Sequence, residues 1–349
     1  MSVHLADRSR PSRRFAVAPA PIRFDLSLSE NPFPPLPSVR GAIQREIGQA
    51  NRYPEFLPTR LPAVIAGRLG VRPDQVVVGS GATGVAMQIL QTLTEPGSDM
   101  VLGVPTFDGY PIMAGMAGVE VIGLPLDPAG EQDLPAIARA VTSRTRLVVL
   151  CRPHNPTGTL VPQRDLRRFL RTIPTHIPII LDEAYAEFLP VAERLDPLPL
   201  LSRHPNLLIL RTFSKAYGLA GLRIGYALGH PDLITRVRRL QLPFGTPTLT
   251  LTAVTASYAA EPELAVRVAR ITEERDSLRE ALRRTGIPVP PSYANFLYLP
   301  GPGVATALRR ARIAAKAYPD GSARIAVGDA EAGRAVLEAV RALSRAGSR

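Results

Sequence analysis

The stretch Leu207-Leu-Ile-Leu-Arg-Thr-Phe-Ser-Lys215-Ala-Tyr-Gly-Leu-Ala-Gly-Leu-Arg223-Ile-Gly-Tyr-Ala227 decides the reading of this chain. Two apolar runs, Leu207–Arg211 and Leu222–Ala227, flank a turn that carries a lysine. Runs that are apolar at nearly every position suit sheet strands covered on both faces. The lysine is one of only two, Lys215 and Lys316, among 42 basic residues. Arginine serves for salt bridges and anion clamps, but a guanidinium stays protonated and cannot form a Schiff base. A lysine kept in so arginine-rich a chain is a candidate for covalent chemistry with an aldehyde, against the plain alternative of a chance surface residue. Thr212 and Ser214 precede it and Arg223 follows eight residues on. An aldehyde cofactor carrying a phosphate needs such neighbours.

Outward from this stretch the same texture repeats. Val76–Gly79, Met100–Val104, Leu147–Cys151 and Ile177–Asp182 are further apolar runs, separated by helical stretches. The alternation predicts an α/β domain built on a mainly parallel sheet. Active sites in such sheets gather at the carboxyl ends of the strands. Gly79–Gly84, Asn155, Asp182 and Lys215 each follow a run. After about residue 262 the pattern changes to a long charged amphipathic helix ending at Thr285-Gly286. Short strands follow at Asn295–Leu299 and Ala323–Val327, then a last helix that Asp329 is suited to cap. The expected division is a large domain over 46–262, with 21–45 and 263–349 forming a smaller α+β domain.

With 349 residues, 45% hydrophobic, the chain can bury two substantial cores. Its single cysteine, Cys151, rules out an intrachain disulfide framework and fits a reducing cytoplasm. No apolar run approaches the roughly 20 residues that span a bilayer. Residues 1–20 are basic without the apolar core of a signal peptide and read as a mobile arm. The net charge of +12 raises nucleic acid as a partner, but the arginines are scattered among acids and aromatics make up only 5% of the chain. That distribution describes solvated helix faces rather than a nucleic-acid surface. No metal site is read.

Gly79-Ser-Gly-Ala-Thr-Gly84 fits the G-x-G-x-x-G pattern between a strand and a helix. Taken alone the pattern also describes a dinucleotide site, but no acid ends the next strand, because Asp99 precedes it. Both readings share a glycine-rich turn that offers backbone N–H groups and a helix N-terminus to a phosphate. Asp182 at a strand end is either a turn cap or the carboxylate that keeps a pyridine nitrogen protonated, so that the ring accepts electrons. Tyr185 and Asn155 suit hydrogen bonds to a phenolic oxygen on that ring, and Tyr110 suits stacking on its face.

These elements, in this order, resemble the fold-type I, pyridoxal-phosphate-dependent aminotransferases of class I/II, within them the histidinol-phosphate and aromatic-amino-acid group. The resemblance spans about residues 25–330. It rests on Ser29–Ser38, Asn51-Arg-Tyr-Pro54, Asn155-Pro-Thr-Gly158, Asp182-Glu-Ala-Tyr185, Arg211–Tyr226, Leu242-Pro-Phe-Gly245, Ala294-Asn-Phe296 and Arg324–Gly328. It implies a large domain with a mainly parallel seven-stranded sheet and pyridoxal 5'-phosphate as cofactor. Lys215 would be the Schiff-base lysine, Asp182 would face the pyridine nitrogen, and Asn155 and Tyr185 the phenolic oxygen. Ala82, Thr83, Thr212, Ser214 and Arg223 would surround the phosphate, with Tyr53 reaching it from the other subunit of a homodimer. Arg324 matches the arginine that holds the substrate's anionic group, and Asn31 falls beside it in the substrate site.

The chain also departs from the histidinol-phosphate pattern. Ala82-Thr83-Gly84 replaces a Ser-Asp-Glu-like run, Gly245-Thr-Pro-Thr248 replaces an Asn-Val-Asn-like one, and Arg334 is one position out of register for a second anion clamp. The expectation is therefore transamination of an aromatic amino acid against a 2-oxo acid, with Phe33 and Phe107 as candidates for apolar pocket surface. Histidinol phosphate as substrate and a lyase or decarboxylase of the same fold are the alternatives.

Overall fold

A computed structural model describes residues 21–346 of the chain; the basic arm at residues 1–20 lies outside them. The strands are β1 (Phe24–Asp25), β2 (Val76–Ser80), β3 (Asp99–Val104), β4 (Glu120–Pro125), β5 (Thr145–Cys151), β6 (Ile179–Asp182), β7 (Leu207–Thr212), β8 (Ile224–Gly229), β9 (Phe296–Leu299), β10 (Ile313–Ala314), β11 (Lys316–Ala317) and β12 (Ala323–Ala326). Seven of them form one sheet in the order β2-β8-β7-β6-β5-β3-β4. β8 runs antiparallel to both its neighbours, and the remaining pairs are parallel.

Side chains alternate across a strand, and here both alternating sets are apolar. Val76, Val78, Val148, Leu150, Ile179, Leu181, Leu207 and Ile209 enter one core. Val77, Leu147, Val149, Cys151, Ile180, Leu208 and Leu210 enter the other. Two-sided burial is why these strands read as unbroken apolar runs. β4 was not expected, and its residues show why: it pairs only with β3 at the sheet edge and is largely exposed. Several predicted starts also shift: β5 begins at Thr145, two residues before Leu147. Ile177 precedes β6, which begins at Ile179. Leu222 belongs to a 3-10 turn, and Arg223 after it adopts a left-handed backbone at φ 52° before β8 begins.

The C-terminal part builds a separate core. β11, β12 and β9 form an antiparallel sheet, and β1 pairs in parallel with β10. Leu297, Leu299, Ile325, Val336 and Val340 pack there with Leu26. Asp329 Oδ1 accepts from Ala332 N at 2.9 Å at the start of the helix Ala330–Ala346, as its sequence position predicts. Residues 21–45 divide their packing between the two cores rather than joining only the smaller unit expected for them. Only the first part of that segment, with β1 and Leu26, packs there. Leu36 and Val39, both buried, lie in the first sheet core, and the helix Pro37–Glu46 packs against Thr250–Ala259. Its apolar face fits the larger core, so the chain crosses between the units before residue 36.

Candidate active site

The carboxyl ends of β5, β6 and β7 open onto a cavity of about 420 Å³. Ala82, Thr83, Tyr110, Asn155, Asp182, Tyr185, Thr212, Ser214, Lys215, Arg223 and Arg324 all line it, as do Phe107, Met113, Cys151 and Leu28. The remaining candidates stand apart. Tyr53 is 83% exposed and packs its ring on Phe244 at 4.7 Å between centroids. Asn31 does not line the cavity; its amide donates to the backbone oxygens of Lys215 and Ala216 at 3.1 and 3.0 Å, holding the lysine turn from behind. Phe33 lies under Arg267 and Arg270 instead of in the cavity. Lys316 pairs with Asp108.

One wall has the form of an anion cradle. The helix Gly81–Leu93 begins at the cavity, and no side chain among the described residues caps its first turn. Gly81 has a positive φ of 72°, and the guanidinium of Arg223 fills the space a side chain there would take. Gly225 on β8 likewise has no room for a Cβ, because the Gly81–Ala82 backbone lies against it. The glycines thus bring uncapped N–H groups and Arg223 to one place, an arrangement suited to a phosphate. Thr212 Oγ1 donates to Ser214 Oγ at 2.9 Å and accepts from Ser214 N at 3.1 Å, which turns both hydroxyls beside the cradle.

Lys215, Asp182 and Tyr185 are ionisable groups lining the same cavity. Lys215 Nζ donates to the Ser29 carbonyl oxygen at 2.9 Å and lies 5.6 Å from the centre of the Tyr185 ring. Burial, with Arg324 nearby, lowers its pKa to about 8. An amine in that range can shed its proton and act as base or nucleophile near neutrality. Burial raises the pKa of Asp182, while bonds from Tyr110 and the Ala184 N–H oppose the rise. Tyr110 Oη donates to Asp182 Oδ2 at 2.7 Å and Ala184 N donates to Oδ1 at 3.0 Å. Tyr110, expected only as a stacking ring, therefore also orients the carboxylate; that bond could not be read from sequence.

Tyr185, Asn155 and Arg324 form a chain across the cavity. Asn155 Nδ2 donates to Tyr185 Oη at 3.3 Å, and its Oδ1 accepts from Arg324 Nη1 at 2.8 Å. Arg324 Nη2 donates to the Ser27 carbonyl oxygen at 2.8 Å, and its guanidinium lies 5.3 Å from the Phe296 ring centre. Its Nε is buried and has no partner among the described residues. Burial pushes the Tyr185 pKa up to about 12, so its phenol remains a hydrogen-bond donor. No helix among the described residues is long and apolar enough to cross a membrane.

The family "Aminotransferase class I and II" matches residues 21–340. An aromatic amino acid aminotransferase of Streptomyces coelicolor is 39% identical over 91% of this chain and 89% of its own length. A protein of the same name from Cutibacterium acnes is 44% identical over 78% of each chain. Among solved structures, the histidinol-phosphate aminotransferase of Sinorhizobium meliloti in complex with pyridoxal-5'-phosphate superposes with a TM-score of 0.86. It has 27% identity over 93% of this chain and 91% of the other. A family match over nearly the whole described length, together with relatives at this identity and coverage, means that the chain belongs to the class I and II aminotransferases.

Proposed function

We propose that this aminotransferase takes its amino group from an aromatic amino acid and passes it to a 2-oxo acid. The observation that carries the proposal is the number of cations. Lys215, Arg223 and Arg324 are the cationic side chains lining the cavity. With Arg223 at the phosphate cradle and Lys215 committed to chemistry, Arg324 alone is left for substrate, its Nε unpartnered among the described residues. One guanidinium suits an α-carboxylate in two-point geometry, whereas a phosphate-bearing substrate calls for more. Phe107, Leu28, Met113 and Leu210 supply apolar surface for a side chain. The relatives named as aromatic amino acid aminotransferases support the same substrate class.

The cofactor is pyridoxal 5'-phosphate, which when bound supplies an aldehyde carbon and an electron-accepting ring. The uncapped helix start with Arg223, Thr212 and Ser214 fits its phosphate. Asp182, fixed by Tyr110 and Ala184 N, fits a protonated ring nitrogen. Tyr185 and Asn155 are the donors for its phenolic oxygen. Lys215, with a pKa near 8, would hold the aldehyde carbon and would supply the amine that carries a proton to or from the substrate α-carbon. Arg324 fixes the substrate carboxylate and, through Asn155, is tied to the phenolic-oxygen site.

The proposal includes a homodimer with shared sites. Tyr53, Phe56, Leu242 and Phe244 are exposed apolar residues, with Tyr53 and Phe56 both packed on Phe244. A second copy of the chain covering them would bring its Tyr53 toward the partner's phosphate cradle. The cytoplasm is the compartment proposed, in keeping with a lone, free, buried cysteine. The deciding experiment is the rate of cofactor amination by phenylalanine, tyrosine, glutamate and histidinol phosphate, followed by absorbance. Preference for phenylalanine or tyrosine is expected; a clear preference for histidinol phosphate overturns the substrate assignment.

A further inference from the structure

The residues that line the cavity at the ends of β5, β6 and β7 are Cys151, Asp182 and Thr212. Because side chains alternate across a strand, the neighbours Arg152, Glu183 and Arg211 belong to the opposite face. All three are charged, at the ends of three adjacent strands. Arg211 Nε and Nη2 donate to Glu183 Oε2 at 3.0 and 2.7 Å. Arg152 Nη1 lies 3.8 Å from Glu183 Oε1. Arg152 also donates from Nε to the Val161 carbonyl oxygen at 2.8 Å and from Nη2 to Glu193 Oε2 at 3.0 Å. The Arg152 and Glu183 side chains are fully shielded from solvent.

Such a cluster is a poor device for stability alone. Removing buried charges from water costs about as much as their attraction returns, and well-packed apolar replacements are often neutral or stabilising. What a buried ion cluster does supply is a fixed relative position. The backbone reinforces that position, since Arg152 N donates to the Asp182 carbonyl oxygen and Glu183 N to the Leu210 carbonyl oxygen, each at 2.8 Å.

We infer that Glu183 is a positioning residue: by joining Arg211 to Arg152 beneath the sheet ends, it fixes the height and tilt at which Asp182, Thr212 and the Lys215 turn meet the cofactor. The inference rests on the cofactor-facing role proposed for Asp182. It requires no contact between Glu183 and any reacting atom.

The test uses the cofactor-loaded enzyme. In the double variant Glu183→Leu/Arg211→Leu both members of the tightest pair become apolar, and Arg152 keeps Glu193. The expected protein folds and melts cooperatively. It shows an altered visible circular-dichroism band per bound cofactor, weaker cofactor binding and a maximal half-reaction rate about a hundredfold slower, with little change in the half-saturating amino acid concentration. The single variant Glu183→Gln, which keeps an acceptor oxygen between the arginines, is expected to recover part of the rate and band. A double variant with wild-type band, affinity and rate overturns the inference; should it fail to fold, wild-type values in Glu183→Gln do so. Asp182→Ala run in parallel separates the two ideas. If that variant keeps its half-reaction rate, the Asp182 role itself fails, whatever the clamp variants do.

Discussion

Replacing Lys215 by methionine should stabilise the cofactor-free protein while abolishing its activity. The Lys215 amine sits in the cavity with one carbonyl acceptor, that of Ser29, and with Arg324 as a nearby cation. Burial, and after it Arg324, holds its pKa at about 8 against an ordinary 10.5. At about 1.36 kcal/mol per unit, the protonated lysine costs the native state about 3 kcal/mol. That figure is an upper bound, because Lys215 is only half-buried overall and cavity water screens the charge. The sign follows from proton counts. Below pH 8 native and unfolded chains both carry the proton and the cost is constant. Between about 8 and 10.5 the unfolded chain keeps a proton that the native chain has shed, so wild-type stability rises with pH. Lys215→Met lacks this dependence. Urea unfolding of both cofactor-free proteins should show the variant more stable at pH 7, with the gap closing as the pH approaches 10. A gap that is constant with pH, or a less stable variant at pH 7, refutes the idea that the site holds this amine at an energetic cost.

Asp182→Ala should still bind cofactor yet lose the half-reaction by several orders of magnitude in stopped-flow absorbance; near-normal turnover would reduce Asp182 to a turn cap. Truncating Arg324, one partner of a desolvated charge pair, costs about 2–5 kcal/mol, so kcat/KM for phenylalanine in Arg324→Ala should fall roughly a hundredfold or more. An unchanged value would move the carboxylate clamp elsewhere. Mixing Tyr53→Phe with Lys215→Ala subunits should restore activity above either parent, since one hybrid site then carries both lesions and the other neither. No recovery, when Tyr53→Phe alone is damaging, removes Tyr53 from the partner's site.

Most of the central sheet could be read from the sequence because its strands are buried on both faces, and the unbroken apolar runs Val76–Val78 and Leu207–Leu210 declare that environment. The edge strand β4 could not, since Glu120–Pro125 is mostly exposed and lacks that pattern. Strand order was also hidden: β8 pairs with its neighbour in sequence, β7, but also with β2, about 150 residues earlier, and so sits between them. At the site, chemistry-bearing residues such as Lys215 and Asp182 stand out by type and by their place after a strand. Their supports do not. Asn31 behind the lysine turn, Tyr110 on Asp182 and the Glu183–Arg211 pair depend on contacts that only the folded chain creates. A charge immediately after Cys151 and after Asp182, and one immediately before Thr212, was the one visible trace of the last.

The left-handed backbone of Arg223 sets a limit on how this protein can be improved. A non-glycine residue held at φ 52° carries about 1–3 kcal/mol of strain, and glycine would relieve it. Glycine would also remove the guanidinium that lies over Gly81. A selection for heat resistance alone would favour the glycine, and a selection for turnover would reject it. Libraries screened only for thermal survival would therefore accumulate robust, inactive chains at this position, and the two traits have to be selected together.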